Sequence, residues 1–440
     1  MKNLIIIILV LALSCSKLIS QSTFSLKEAI AYAMENNPDV ANAKLAIEDA
    51  EAQVTGYLSI GLPKVSADLE YIYYPQVPQV PLPDAFAIAF GLPEDESNEV
   101  SFLSRNNFTA GIRANSLLFD GSYFTGLRAA RLFKEMTQLQ LYSAERVVAN
   151  NVMDAYLPSL LIHESEKILD KNIENLAKVL FETKEIYKAG FAEQLDVDRL
   201  ELSLANLKTE KDALTQQKEV AINGLKFLLN FPMEEELILE DNIESLLSDA
   251  NNNVEGEINY YSRPEYKVAE TGLALSELNV ERFERGAWPK LEAFGAYQYQ
   301  YQGDDFNQGF WAPTFLLGAK LSVPIFDGFE RRANIDQAAI ALKQNENNKK
   351  TLESLITLEV TNARKMYLIA IDKLESQNKN LALAQKIYDT TLIKYKEGVG
   401  SSLEVTQSEQ SLYTTQQNRI QAMFDVLTTK VALDQAMGQK

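Results

Sequence analysis

The chain has 440 residues, a formal net charge of −19 and one cysteine, Cys15. So large a negative charge argues against binding to nucleic acid, whose phosphates would repel it, and suits a solvated surface or lumen. A single cysteine forms no internal disulfide, so the stability of the fold depends on packing.

Residues 1–20 have the pattern of a secretory signal peptide. Lys2 precedes an apolar run of ten residues, Leu4 to Leu13, and a stretch of small residues follows it. A helix that spans a membrane needs roughly 20 apolar residues, so this run is too short to be one. Two forms of processing stay open. The chain is cleaved before Gln21 in the ordinary way, or it is cleaved before Cys15 and lipidated there.

The chain contains an internal duplication, because four short motifs occur twice in the same order. The pairs are Asn37-Pro38-Asp39 and Arg263-Pro264-Glu265, Leu62-Pro63-Lys64 and Trp288-Pro289-Lys290, Leu118-Phe119-Asp120-Gly121 and Ile325-Phe326-Asp327-Gly328, and Tyr187-Lys188-Ala189-Gly190 and Tyr395-Lys396-Glu397-Gly398. The first two pairs are 226 residues apart (264 − 38), and the last two are 207 and 208 apart (326 − 119 and 395 − 187). We therefore predict a first repeat at 21–232, an inter-repeat segment at 233–260 and a second repeat at 261–440, with an insert at 75–105 in the first repeat.

Each repeat begins with a helical stretch, at about 25–60 and 262–287, that ends at a proline. Two segments then alternate apolar and polar residues with the period of two that a β-strand requires. Their apolar positions run from Val65 to Tyr73, Phe108 to Ala114, Leu291 to Tyr301, and Phe315 to Val323. Past residue 20 no apolar run is long enough to cross a membrane as a helix, so crossing would require a closed β-barrel. Four strands are too few for one, and several subunits would have to contribute. A soluble sandwich of four short strands is the alternative, but it leaves the helices below unexplained.

Two very long helices follow the strands, at about 122–187 and 329–395, and turns at Gly190 and Gly398 lead into return helices at about 195–229 and 403–437. At 1.5 Å per residue the long helices would extend about 100 Å. In the second long helix, a series of residues spaced three and four apart is mostly small or apolar and partly polar, as in a coiled-coil seam. These positions are Ala363, Met366, Ala370, Leu374, Gln377, Leu381, Ala384, Tyr388, Thr391 and Tyr395. The spacing also fits an ordinary antiparallel coiled-coil hairpin.

Catalytic motifs are absent from the sequence. His163, the only histidine, falls inside a long helical stretch without cysteine or histidine neighbours, so we interpret it as a surface or packing residue. No phosphate-binding glycine loop or serine nucleophile elbow occurs, and the carboxylates have helical-surface spacing. We expect no enzyme activity, no cofactor and no metal site.

The duplicated order of helix, strand pair, Phe-Asp-Gly, long helix, Tyr-Lys-x-Gly turn and return helix resembles the TolC-like outer membrane efflux proteins. The resemblance implies a mainly α fold with a β-barrel contribution, in which three subunits of four strands form a 12-stranded barrel and an α-helical periplasmic tunnel. It implies a passive duct of a tripartite efflux or type I export system in the bacterial outer membrane. Its partners would be two further copies of the chain, outer membrane lipid, a periplasmic adaptor (membrane fusion) protein and an inner-membrane pump of the RND or ABC type. The alternative is a coiled-coil outer-membrane lipoprotein or scaffold that does not conduct.

The resemblance also assigns site residues. The turns Gly190 to Leu195 and Gly398 to Leu403 would be the periplasmic tips where the adaptor docks, and 233–260 would lie around the tunnel's equator. The two gate aspartates of the family fall on Glu404 and Gln407, although Glu404 also suits a solvated first turn of a helix. The family's tyrosine and aspartate latch residues fall on Tyr395 and Asp196. Gly400 takes the place of the latch arginine, and Arg199 is the candidate to replace it.

Overall fold

The computed structural model describes residues 22–81, 83, 99–249 and 256–439. The predicted signal peptide, Cys15 and much of the 75–105 insert lie outside the described residues. The chain divides into two compact units. The helical unit comprises Met1–Ile47, Thr137–Glu270 and Asn347–Lys440, and the strand unit comprises Glu48–Met136 and Thr271–Glu346.

The described residues contain the predicted helices and strands in the predicted order, together with shorter elements that the sequence did not predict. The helices are α1 (Leu26–Asn36), α2 (Pro38–Gly61), α3 (Gly121–Lys188), α4 (Gln194–Leu229), α5 (Ile243–Asp249), α6 (Pro264–Arg285), α7 (Glu330–Lys396) and α8 (Ser402–Met437). The strands are β1 (Ser22–Phe24), β2 (Lys64–Tyr73), β3 (Val80–Pro81), β4 (Glu99–Val100), β5 (Asn106–Phe119), β6 (Leu237–Leu239), β7 (Lys290–Gly303) and β8 (Phe310–Ser322).

The predicted long and return helices are confirmed by α3, α4, α7 and α8, and the four predicted strands are confirmed by β2, β5, β7 and β8. One difference concerns the first helical stretch, which is two helices. Asn37 between them has an extended backbone, with φ −72° and ψ 130°. The ring of Pro38 disfavours a helical conformation at the preceding residue, which explains the break. None of the described helices is both long and apolar enough to span a membrane.

The four long strands form one antiparallel sheet in the order β2-β5-β7-β8. Residues directly paired across neighbouring strands point to the same face, so the register decides whether the four apolar sets coincide. Two of the paired rows are Leu69, Ala110, Tyr299 and Pro313, and Ala67, Ile112, Tyr297 and Phe315. The row between them, on the opposite face, is Asp68, Gly111, Gln298 and Thr314. The sheet therefore has one largely apolar face and one more polar face.

The start of the described chain is tied to the inter-repeat segment in the helical unit. β1 pairs in parallel with β6, and the rings of Phe24, Tyr32 and Phe231 pack edge to face with centroids 5.4 to 5.8 Å apart. The hydroxyl of Tyr156 lies 2.9 Å from both the Phe24 carbonyl and the Asp241 carboxylate. This buried polar group therefore has one partner from the start of the first repeat and one from the inter-repeat segment.

The residue before the duplicated proline connects the start of each repeat to the return helix of that repeat by a hydrogen bond. The side-chain amide of Asn37 donates to the carbonyl of Leu228 (3.0 Å) near the end of α4. The guanidinium of Arg263, the matching residue, donates to the carbonyl of Ala436 (2.9 Å) near the end of α8. The last carbonyls of a helix have no partner within it, so the two side chains perform the same task in the two repeats.

The predicted seam of α7 is correct at Ala370, Ala384 and Tyr388, which are buried. It is wrong at Met366, whose side chain is exposed, whereas the neighbouring Tyr367 is buried. Tyr367 packs in a cluster with Ala370 of α7 and with Val426 and Leu433 of α8. Tyr367 is four residues after Ala363 and three before Ala370, so it also has the spacing of the seam, and its ring buries more surface than a methionine would.

Candidate functional site

The two helical turns of the helical unit have the same backbone geometry. Gly190 and Gly398 are left-handed, with φ 81° and 74°. In each turn the glycine N–H donates to the third carbonyl before it, and the next N–H donates to the fifth carbonyl before its own residue, at 2.9 to 3.0 Å. These are the two bonds of a Schellman motif, which satisfies carbonyls at a helix end and favours glycine at the left-handed position.

Apolar side chains project from both turns. Leu195 and Leu403, which the sequence analysis assigned to the tips, are exposed, and so are Phe191 and Val399, which it did not name. The pairs are related by the same offset of 208 (403 − 195 and 399 − 191). The signal for Phe191 and Val399 was therefore available, because each directly follows a duplicated glycine. Exposed apolar groups at matched positions are typical of a surface that contacts another protein.

Glu404 and Gln407 lie in the first two turns of α8, and both are exposed. Ser401 caps this helix, and its hydroxyl accepts a hydrogen bond from the Glu404 N–H (3.3 Å). Because the two side chains are three residues apart, they share one side of the helix. The carboxylate at the helix start is also favoured by the helix dipole.

The candidate latch residues fall into two groups rather than one. Asp196 accepts a hydrogen bond from the buried hydroxyl of Ser402, and Arg199 donates to the same hydroxyl at 3.5 Å. Tyr395 instead lies with its hydroxyl 3.1 Å from the Thr183 hydroxyl. Burial raises the pKa of Tyr395, and the negative charge of Asp196 acts in the same direction. Ser402 thus connects Asp196 to Arg199, and the sequence contained no signal for this role except its position next to the turn.

Glu409 on α8 is a buried carboxyl that the sequence analysis missed. Only 7% of its surface is exposed, and its Oε1 has no hydrogen-bond partner. Burial raises the pKa of Glu409 to about 7. The matching residue of the first repeat, Glu201, forms an ion pair with Lys184 at 2.5 Å. The position that matches this lysine is Leu392 (184 + 208), so the second repeat lacks the cation.

The described residues contain no group of three or more His, Cys, Asp or Glu side chains that could hold a metal ion. His163 lies 4.0 Å from Glu166, and burial lowers the pKa of this histidine. Glu166 is bound by Lys218 at 2.7 Å and by Thr215 at 3.0 Å. This cluster links α3 to α4 and has the composition of a structural contact.

Known proteins match nearly the whole chain. The outer membrane efflux protein family matches residues 29–230 and 262–439. The pyoverdine export outer membrane protein OpmQ of Pseudomonas aeruginosa is 25% identical over 339 residues, which cover 76% of this chain and 70% of that protein. The cation efflux system protein CusC of Escherichia coli is 22% identical over 424 residues, which cover 94% and 85%. The crystal structure of CusC has a TM-score of 0.75 and 20% identity, covering 94% of this chain and 92% of that one.

Both matched segments coincide with a strand pair and a long-helix hairpin of the fold described above. Other solved structures with this fold include the outer-membrane channel OprN and the MtrE outer membrane channel of Neisseria gonorrhoeae. The predicted fold class, the outer-membrane location and the efflux function are therefore confirmed. The chain belongs to the outer membrane efflux protein family.

Proposed function

We propose that three copies of this chain form a passive duct through the outer membrane, which serves a tripartite efflux or type I export system. The observation that carries the proposal is the four-stranded sheet. Its outer strands, β2 and β8, each pair along one edge only in the described residues. An unpaired strand edge inside a membrane leaves backbone groups without partners. Three subunits would supply twelve strands (3 × 4) and close every edge.

The exposure of the apolar sheet face supports the same arrangement. Leu69 of β2 and Phe315, Leu317 and Leu321 of β8 are large apolar side chains that are mostly exposed. A contiguous apolar surface of this kind is rare on a monomer in water and suits contact with lipid. The more polar face, which carries Asp68 and Gln298, would then line the lumen.

The energy for transport would come from partners, since we expect no enzyme activity in this chain. We propose that the turns at Gly190–Leu195 and Gly398–Leu403 dock a periplasmic adaptor protein, which connects the duct to an inner-membrane pump of the RND or ABC type. The support is the repetition of one turn geometry with exposed apolar side chains at Phe191 and Val399. Two such turns in each subunit would give the adaptor equivalent docking positions around the tip.

Glu404 and Gln407 are proposed to line the narrowest part of the duct. Three exposed Glu404 carboxylates in a ring would attract cations and repel one another. The hydrogen bonds of Ser402 with Asp196 and Arg199 are proposed to hold the neighbouring helix starts together in the closed state, with Tyr395 and Thr183 as a second contact.

The division into a first repeat at 21–232, an inter-repeat segment at 233–260 and a second repeat at 261–440 also remains a proposal. It is supported by the two separate segments that match the family, 29–230 and 262–439. The Cys15 lipidation and the cleavage before Gln21 are the two proposed forms of processing.

Conductance of the purified protein in planar bilayers tests the function. We expect small cation-selective openings that trivalent cations block, and we expect Glu404→Ala to remove the block. Glu397→Ala, which removes an exposed carboxylate from the adjacent turn, is the matched control and should leave the block in place. A folded, heat-modifiable trimer that never conducts would refute the duct and favour a scaffold. Conductance with an unchanged block in Glu404→Ala would refute only the gate.

A further inference from the structure

A cleft in the strand unit lies where strands give way to helices. It is lined by the end of α6, by the residues that follow β8 and by the first turn of α7, and its volume is about 340 Å³. Arg282 and Arg331 supply two positive charges, and Asp327 and Glu330 supply two negative ones. Phe283 and Pro324 contribute apolar walls. The charges of the lining therefore balance.

The arginines that line the cleft do not form close ion pairs. Arg282 lies 4.9 Å over the ring of Phe283 and has no carboxylate partner in the described part of the chain. Arg331 is 3.5 Å from Asp327, a long and weak contact for a guanidinium and a carboxylate. Arg285, one turn from Arg282, is by contrast paired with Glu281 at 2.5 Å. The cleft thus presents an available cation and an available anion side by side.

An exposed apolar rim adjoins the charged cleft. Ile325, Phe326 and Phe329 are 93%, 74% and 67% exposed, and the two phenylalanine rings pack edge to face at 5.5 Å. Phe329 has a left-handed backbone with φ 71°, which is strained for a residue with a Cβ. A strained backbone that presents a large ring to solvent points to a contact outside the subunit.

We propose that this cleft binds the head group of a zwitterionic aminophospholipid. The guanidinium groups of Arg282 and Arg331 bind the phosphate, because arginine matches phosphate oxygens in geometry and charge. Asp327 and Glu330 accept hydrogen bonds from the ammonium, and the apolar rim contacts the acyl chains. A purely anionic head group fits less well, since the two carboxylates would repel it.

The proposal rests on the proposed function, which puts this junction at the membrane surface that faces the periplasm. β8 ends at Ser322 and α7 begins at Glu330, while α6 ends at Arg285 and β7 begins at Lys290. Head groups occupy the level at which strands end in membrane barrels, where aromatic side chains are also enriched. Both the charged cleft and the apolar rim therefore adjoin the strand ends, where a lipid head group and the start of its acyl chains meet.

Native mass spectrometry of the full chain, purified in detergent, tests the proposal with phosphatidylethanolamine, phosphatidylcholine and phosphatidylglycerol. We expect phosphatidylethanolamine to bind about tenfold more tightly than phosphatidylcholine, whose quaternary ammonium donates no hydrogen bond, and than phosphatidylglycerol, which has no ammonium. Glu330→Gln should abolish the preference over phosphatidylcholine, and Arg282→Gln should weaken all three lipids. Arg128→Gln, which removes an arginine that is already paired with Glu281 at 3.1 Å, is the control and should change none of them.

Equal binding of the three lipids, or unchanged binding in Arg282→Gln and Glu330→Gln, would overturn the proposal. So would a Phe326→Ser variant with a weakened trimer and unaltered lipid binding, because the rim would then be covered by a second copy of the chain. Bilayer conductance of the same samples separates this failure from that of the duct. Normal conductance without lipid selectivity refutes the head-group site alone, whereas loss of conductance in the unmodified protein refutes the proposed function.

Discussion

Glu409 should make the stability of the second hairpin depend on pH, and a lysine at position 392 should remove the dependence. The carboxyl is buried without a cation, whereas Glu201 at the matching position has Lys184 at 2.5 Å. Leu392→Lys rebuilds the pair of the first repeat in the second. Glu409→Gln keeps the shape of the side chain and removes its titration.

The surroundings of Glu409 offer it no compensating charge. Burial is the cause of its raised pKa, and the charges that act on the nearby Tyr388 together with that of Glu409 are those of two further carboxylates, Asp389 and Glu182. Lys396 of α7 is paired with Glu182 at 2.7 Å. On α4, Glu210 accepts a hydrogen bond from Tyr413 at 2.7 Å. Protonation is therefore the way in which this carboxyl is neutralised.

The size and sign of the effect follow from the pKa. Burial raises the pKa of Glu409 from 4.5 to about 7, which corresponds to about 3 kcal/mol at 1.36 kcal/mol per pKa unit. The folded chain holds a proton that the unfolded chain releases, so this stability is fully present below pH 4.5. It decreases as the pH rises and is lost above about 7.

Thermal unfolding of the protein in detergent, followed by circular dichroism between pH 5 and 8, measures this. We expect the Tm of the wild type to fall by several degrees over the range. Glu409→Gln should remove that part of the slope, and so should Leu392→Lys. Glu201→Gln, which alters the paired carboxyl, should not flatten the slope. Identical slopes in the wild type and Glu409→Gln would refute the reasoning.

Three further predictions concern the helix ends. Arg263→Ala should lower the free energy of unfolding by about 2 kcal/mol, because the carbonyl of Ala436 and the carboxylate of Glu359 lose a charged donor. Chemical denaturation measures this, and an unchanged denaturation midpoint would contradict it. Gly398→Ala should lower the free energy of unfolding by about 1 kcal/mol, because its backbone is left-handed with φ 74°. Gly224→Ala, inside α4 with open space around it, should instead raise the free energy of unfolding by about 0.5 kcal/mol. Equal effects of the two substitutions in chemical denaturation would contradict this prediction. Ser402→Ala removes the hydroxyl that is hydrogen-bonded to both Arg199 and Asp196. We therefore expect the channel to have a larger open probability in planar bilayers, and an unchanged open probability would exclude the latch.

Much of the fold could be predicted because it depends on local rules. The alternation of Val65 to Tyr73 and the uninterrupted helical composition after Gly121 extend over many residues, so one atypical residue does not change the predicted element. Because of the duplication, each predicted helix or strand can also be checked against its counterpart in the other repeat. The break at Asn37 was also within reach, since the effect of Pro38 on its neighbour is local.

The candidate site was harder to predict because side chains on different helices decide it. Whether Tyr395 meets Asp196 or Thr183 depends on the rotation of α7 against its neighbours, and one residue of rotation is 100°. The choice of Tyr367 over Met366 has the same origin. The isolation of Glu409 could have been found by comparing the repeats at the offset of 208, since the lysine at 184 becomes a leucine at 392.

The two strand pairs differ mainly in the length of the chain that joins their strands. Tyr73 and Asn106 are separated by 32 residues, whereas Gly303 and Phe310 are separated by six. An extra residue within a strand would exchange the apolar and polar faces, but extra residues between strands leave the register of β2 with β5 intact. This end of the sheet is thus the place to insert an epitope tag or a fluorescent label. The short connection between β7 and β8 is the site of choice, because it has a longer natural counterpart.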